Sequence, residues 1–286
     1  MTGKPYEIVD NPTPSVARYG LVRSAVVDID DQTVPHWGGG ITWARDPLTG
    51  TGAALDPDAL PGTFALPGTV EVPSKFTPYT VWEAVECSTL DQVTDLRARA
   101  SRKLLRTTSK QVAQEFLYGT RAVAASWSEN FYLWKSPDLL NASTATPSVY
   151  ALGWLQKWLV SHYEGSPGMI HAPVEVVNHW VSVMAVFTEP NGGLFYDAFG
   201  NIVVPDPGYD GGASNGVVDA THKMFWCHAT GMVKVMLSSV DLESPGGYID
   251  RATNTRQHIA VRYAATLVDP VAAAIKVDIC QPLCTP

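Results

Sequence analysis

Charge is scarce in this sequence: Asp, Glu, Lys and Arg make up only 17% of its 286 residues, against about 25% in an ordinary globular chain. What charge there is sums to −8 at pH 7, so overall basicity does not draw the chain to nucleic acid. Cysteine is scarce too. Cys87, Cys227, Cys280 and Cys284 are too few and too scattered for a disulfide scaffold, which fits a chain made and used in a reducing cytoplasm. No apolar run approaches the roughly 18 residues of a membrane helix, and the residues after Met1 lack the apolar stretch of a signal peptide. Membrane partners are therefore not expected. Apolar residues still reach 45%, enough for one large core or two smaller ones without metals.

Reactive patterns are equally thin. Gly212-Ala213-Ser214-Asn215-Gly216 matches the nucleophile elbow G-x-S-x-G, but that motif needs a central strand before it and a helix after it. Here Pro205-Asp206-Pro207-Gly208 precedes it, and prolines do not sit in central strands. Cys227 stands beside His228, yet neighbours on a strand point to opposite faces and cannot form a thiolate–imidazolium pair. His171 or His258 would have to serve instead. His171 and His179 straddle Pro173 at no ligand spacing, and Cys280 and Cys284 lack a second pair for zinc. Asp206, Asp210 and Asp219 miss the calcium-loop pattern and read as a solvated acidic loop. There is no phosphate-cradling or dinucleotide motif. The reading is no enzyme, no cofactor and no metal.

What the sequence has is length without local cover. Residues 34–80 hold seven prolines and seven glycines interleaved with large apolar side chains, among them Trp37, Trp43, Phe64, Leu66, Phe76 and Tyr79. A disordered linker would not carry these. An extended, proline-stiffened arm carries them for burial on a neighbour. Ser88 then reads as an N-cap, followed by Leu90, Val93, Leu96, Ala100, Leu104, Val112, Phe116 and Leu117 near helical spacing. The run predicts one helix over 88–118, about 40 Å long, stopped at Gly119. Its polar face carries Arg97, Arg99, Arg102, Lys103, Arg106 and Lys110, opposite in sign to the whole chain. That face is either solvated or turned towards a polyanion or an acidic neighbour.

Shorter helices are expected at 147–163 and 173–184, the first opened by Pro147. Strands are expected at 25–29, 169–171, 186–187, 194–199, 202–204, 224–228, 232–237, 258–267 and 272–279. Residues 136–250 hold three basic and eleven acidic groups, which places the whole net charge there.

This order of parts resembles the major capsid proteins of tailed bacteriophages, the Hong Kong 97-type fold shared with encapsulin shells. Asn254-Thr255-Arg256-Gln257-His258-Ile259-Ala260-Val261-Arg262-Tyr263, followed by Asp269-Pro270, is similar to the returning strand of many coat proteins. Phe76-Thr77-Pro78-Tyr79-Thr80-Val81 and Ile170-His171-Ala172-Pro173 resemble coat proteins of phages infecting actinobacteria. The resemblance implies an α+β chain with the HK97-like capsid fold. Its parts would be an N-terminal arm (1–33), an extended loop (34–80), a peripheral domain with the spine helix (81–185), an axial domain (186–250) and a return to the peripheral domain (251–286).

By function it implies a structural protein that assembles into hexamers and pentamers of an icosahedral virion shell. That shell encloses double-stranded DNA without reading its sequence and forms in the host bacterial cytoplasm. It further implies a separate scaffold or none, with portal or decoration proteins as further partners. Some members join a lysine to an asparagine between subunits; Lys75 sits at the base of the loop, so that activity is not carried over. An encapsulin-like compartment is the alternative, and a Cys/His or serine hydrolase a more distant one.

Overall fold

The computed structural model describes residues 19–30, 40–43, 74–88, 96–141, 144–189, 193–242, 248–250 and 255–280. The first half holds α1 (Leu21–Ser24), β1 (Val26–Asp30), β2 (Ile41–Trp43), β3 (Ser74–Phe76), β4 (Tyr79–Ser88), α2 (Leu96–Tyr118) and α3 (Thr120–Ala124). The middle holds β5 (Asp138–Leu140), β6 (Thr146–Pro147), α4 (Ser148–His162), β7 (Met169–Ala172), α5 (Val174–Ser182), β8 (Val186–Thr188), β9 (Phe195–Asp197) and β10 (Ile202–Pro205). The last third is all strand: β11 (Met224–Thr230), β12 (Lys234–Ser238), β13 (Asp241–Leu242), β14 (Tyr248–Asp250), β15 (Thr255–Leu267) and β16 (Ala272–Asp278). Among the described residues no helix is long and apolar enough to cross a membrane.

Two sheets organise these elements. In the first, the thirteen-residue β15 pairs antiparallel with β4 along 255–264 and with β12, β13 and β14 on its other edge, and β1 adds parallel to β12. Helix α2 lies across β4 and β15. It buries Leu96, Ala100, Leu104, Thr108 and Val112, one residue per turn, against Val81, Ala260 and Ala264. Small residues on the sheet let the helix approach, and the alternation along β4 turns Val81 and Glu83 towards α2 and Thr80 and Trp82 away from it.

The second sheet runs β5-β16-β11-β7-β10-β9-β8, with β6 also on β16. Its central strands are buried on both faces. Ile170, Cys227 and Ala229 pack under α4 and α5, while Met169 and Val204 join the core beneath α2. Such strands read as unbroken apolar runs rather than alternations.

Most expected elements lie within a few residues of their predicted bounds; three points stand out. First, Ser88 is the last residue of β4, paired with Thr255; residues 89–95, where the expected cap and first turns of the helix fall, lie outside the described residues, and the described helix runs from Leu96. Leu90 and Val93 fall outside the described residues. The stop at Gly119 holds, with φ +60° in the left-handed region, where an added Cβ would strike the Tyr132 ring.

Secondly, a domain boundary at 185/186 would cut through one sheet, because β5–β7 and β8–β10 belong to it together. Strand β16, expected to return to the first layer, joins the second sheet beside β11. Thirdly, the acidic loop is not uniformly solvated: Asp206 is fully buried.

Candidate functional site

The hydrolase candidates are dispersed. Ser214 is exposed in a turn that Ala213 and Val217 close by a backbone hydrogen bond of 3.0 Å, not on a strand-to-helix elbow. Cys227 is fully buried under α4 and α5, and burial pushes its thiol pKa up. His228 projects from the other face of β11, its ring edge-on to Trp134 at 4.8 Å. His171 pairs across the ladder with His228 and shares its face, while His258 sits in the first sheet. None of His171, His228 and His258 therefore reaches the thiol. His179 is held by the Ser148 hydroxyl at 2.7 Å, apart from His171. Cys280 is exposed, and Cys284 lies outside the described residues.

The buried polar groups instead line the seam between the two sheets beneath α2. Asp206, on the loop after β10, accepts from the Leu21 amide at 2.7 Å, the Ser109 hydroxyl at 3.1 Å and the Gly208 amide at 2.7 Å. It thereby ties α1, α2 and its own loop together. Burial raises its pKa to about 6 against those hydrogen bonds and the charge of Lys110. Beside it, Tyr209 meets His171 Nδ1 at 3.1 Å, and His171 Nε2 meets the Thr230 hydroxyl at 2.8 Å. Burial holds both His171 and His228 at about 3, and for His171 the His228 charge adds to the effect. At physiological pH the two imidazoles are neutral and Asp206, above its raised pKa, is ionised; the hydrogen bonds of the seam position layers. It offers no nucleophile.

The outer surfaces carry the unsatisfied chemistry. Of the expected interface residues, Phe76 and Tyr79 are only 3% and 4% exposed, inside the chain's own core. Their apolar surface is already covered, so the interface reading does not extend to them. Trp43 is half-buried at the rim of a 290 Å³ groove with Ser74, Lys75, Glu129, Phe131, Val268 and Pro270. Trp37, Phe64 and Leu66 fall outside the described residues.

A larger feature escaped the sequence reading. The face of the first sheet opposite α2 carries Thr80, Trp82, Ile259, Val261 and Tyr263 around an open groove of about 400 Å³. Trp82 is 51% exposed there. Strand β1 also exposes Val26, Val27 and Ile29 together, so neither of its faces is covered. Patterning alone could have flagged Trp82, since Val81 and Trp82 are adjacent on one strand and only one can face the helix.

The basic face divides in the structure. Lys103 is clamped to β4, with Nζ 2.8 Å from the Glu83 carboxylate and 3.2 Å from the Ala84 carbonyl oxygen. Arg97 acts with Arg256 on His258, lowering its pKa beyond what burial does. Arg99, Arg102 and Arg106 remain exposed, with Lys110 following them.

No family model and no curated protein matches the sequence. Solved structures do match, over nearly the whole length. The SrpI encapsulin of Synechococcus elongatus PCC 7942 superposes with a TM-score of 0.54 at 12% identity, covering 98% of this chain and 96% of that one. The capsid of an empty GTA particle gives 0.55 at 10% identity, covering 96% and 95%. The fold is that of Hong Kong 97-type capsid proteins. A solved structure from Gordonia phage Cozz gives 0.51 at 12% identity, covering 98% and 92%. In Hong Kong 97-type terms α2 is the spine helix, running over 23 residues. Identity this low carries the fold and no residue roles.

Proposed function

We propose that this chain is the structural subunit of a closed shell: a major capsid protein whose copies form pentamers and hexamers around the double-stranded DNA of a tailed phage. The observation that carries the reading is exposed apolar surface on a chain with a capsid fold. The Trp82 face of the first sheet, the bare β1 edge and isolated large groups such as Met184 and Phe199 are all open to water. Soluble monomers rarely leave contiguous apolar patches uncovered, and copies of the same chain are the commonest cover. Trp37, Trp43, Phe64 and Leu66 then belong to the arm and loop that reach a neighbour, with Trp82 as an added contact. The arrangement supplies cohesion and no chemical step, so no cofactor is called for.

The likeness to the SrpI encapsulin favours one second reading, a cellular compartment with protein cargo. Negative-stain imaging of the expressed, purified chain tests the shell directly: closed particles of uniform size are expected, and a monodisperse monomer at high concentration overturns it. Nuclease-protected duplex DNA in particles from infected cells separates the phage shell from the compartment, which would hold protein instead.

A further inference from the structure

The exposed face of α2 stands against the charge of the molecule that carries it. At about 100° per residue, Arg99, Arg102, Arg106 and Lys110 fall within about 80° of one another on the helix surface. They are spaced by three, four and four residues, so at 1.5 Å per residue the row spans about 17 Å. The only acid on α2 is Glu115, which is turned into the amides of Arg121 and Ala122 at the far end. Among the described residues none of the four cations forms an ion pair. Four like charges in a row repel one another and lower the helix's own stability, and among the described residues only Lys110 has a use inside the chain, through its charge on Asp206.

Two occupants fit a cationic row: an acidic surface of a second copy, or the phosphates of a nucleic acid. The described carboxylates argue against the first, because most are engaged within the chain. Asp28 pairs with Lys234, Glu83 with Lys103, and Asp138 accepts from Trp158. Asp197 accepts from Gln156 and Asn201, Asp210 from Tyr118, and Asp219 from its own turn. Asp206 is buried. Glu129 accepts from Thr77 and Asp278 from the Cys280 amide, and Glu164, Asp241 and Asp269 also have partners. Glu86, Glu175 and Glu189 remain, on three separate elements. No matching row of free carboxylates exists among the described residues. A duplex, by contrast, presents a phosphate about every 3.4 Å along each strand, and guanidinium groups bind phosphate oxygens in a planar fork.

We propose that the Arg99–Arg102–Arg106–Lys110 row of α2 is a sequence-independent contact for the backbone of duplex DNA. Being on the helix side, it sets that side of the subunit inward and leaves the Trp82 face to neighbouring copies. The inference rests on the shell reading for its DNA, which is the enclosed genome. Each of the four side chains neutralises one phosphate, releases the counterions held there and adds to the salt dependence of binding.

The test is fluorescence anisotropy with the full-length dispersed chain and two labelled duplexes of unrelated sequence, between about 50 and 200 mM salt. The two duplexes should bind alike. The variant R99Q/R102Q/R106Q/K110Q should lose about 3–4 from the slope of log affinity against log salt, so wild-type affinity falls about 100-fold more than the variant's over this range. R102Q/R106Q should lose about half of that slope, and K157Q/K223Q, which removes cations elsewhere, should lose none. Circular dichroism should show the helix content of all variants unchanged. Equal slopes for wild type and the fourfold variant overturn the proposal. So does a fourfold variant that stops forming particles yet binds DNA as wild type does, which would give the row to a second copy. Failure of the wild type to form particles would count against the shell alone, because the binding measurement uses dispersed chains.

Discussion

A buried carboxylate and two buried imidazoles push the stability of the seam in opposite directions as pH changes. The Asp206 pKa is raised, so its contribution to stability is full below the unfolded value near 3.8 and is lost as pH rises through about 6. The difference between those two values corresponds to about 3 kcal/mol. His171 and His228 are depressed to about 3; their contribution is present above about 6.5 and lost as pH falls. By about pH 4.5 each should have lost roughly 2–3 kcal/mol, so two imidazoles should outweigh one carboxylate and the fold is expected to lose stability in acid.

His228→Phe keeps a ring against Trp134 and removes one titrating group. Its denaturant midpoint should fall less between pH 7 and 4.5 than that of wild type; an unchanged acid limb would show that the histidine is not the cause. Asp206→Ala leaves the Leu21 and Gly208 amides and the Ser109 hydroxyl without an acceptor, at about 1–3 kcal/mol. The loss should be greater at about pH 4 than at pH 7, by up to about 3 kcal/mol, because at pH 7 the substitution also removes a buried charge. Paired urea titrations at the two pH values read the difference.

At the scale of elements, the last turns of α2 are covered where the first turns are bare. The loop after β10 crosses them at Gly208, where an added Cβ would lie 2.6 Å from the Lys110 carbonyl oxygen and 2.8 Å from the Ala113 Cβ. Gly208→Val should therefore lift the loop, loosen the Asp206 clasp and cost about 2–4 kcal/mol in thermal unfolding. A variant as stable as wild type would mean that the loop yields freely. Such close approaches are invisible in a sequence, which shows a glycine-rich acidic stretch and gives no sign that a helix lies beneath it. The helices α4 and α5 were legible from Pro147 and Pro173 and from their apolar spacing, and the strands from runs such as Met224–Thr230. The strand β4 was not, because the other strand of its ladder lies 167 residues later. Nor was the membership of β16, which chain order assigns to the first layer and cross-strand pairing assigns to the second. Local signals located elements; pairing between distant residues decided how they assemble, and with it which faces stay bare.

For the whole molecule, the decisive question is whether residues 44–73 hold the assembly together. Phe76 and Tyr79 are covered by the chain itself, and Ile41 and Trp43 are partly packed against its core. Nine large apolar residues of the predicted arm remain for a neighbour: Val34, Trp37, Leu48, Leu55, Leu60, Phe64, Leu66, Val70 and Val72. At about 1.5–3 kcal/mol each, their burial offers roughly 14–27 kcal/mol as an upper bound. That exceeds the cost of association for a typical contact, and the five prolines within 44–73 lower the ordering entropy lost on docking. The structure supplies a clean way to remove most of this arm. Trp43 pairs with Ser74 across β2 and β3, so residues 44–73 can be replaced by a two-residue Asn-Gly turn that closes the hairpin without disturbing the core. The shortened chain should keep its helix content and unfold cooperatively, yet form no closed particles under conditions where the full chain does. Because each copy both gives and receives an arm, the contact is head-to-tail, and its loss should abolish closure rather than weaken one interface among many. Normal shells from the shortened chain would make the arm dispensable and leave the Trp82 face and the β1 edge to hold the shell together by themselves.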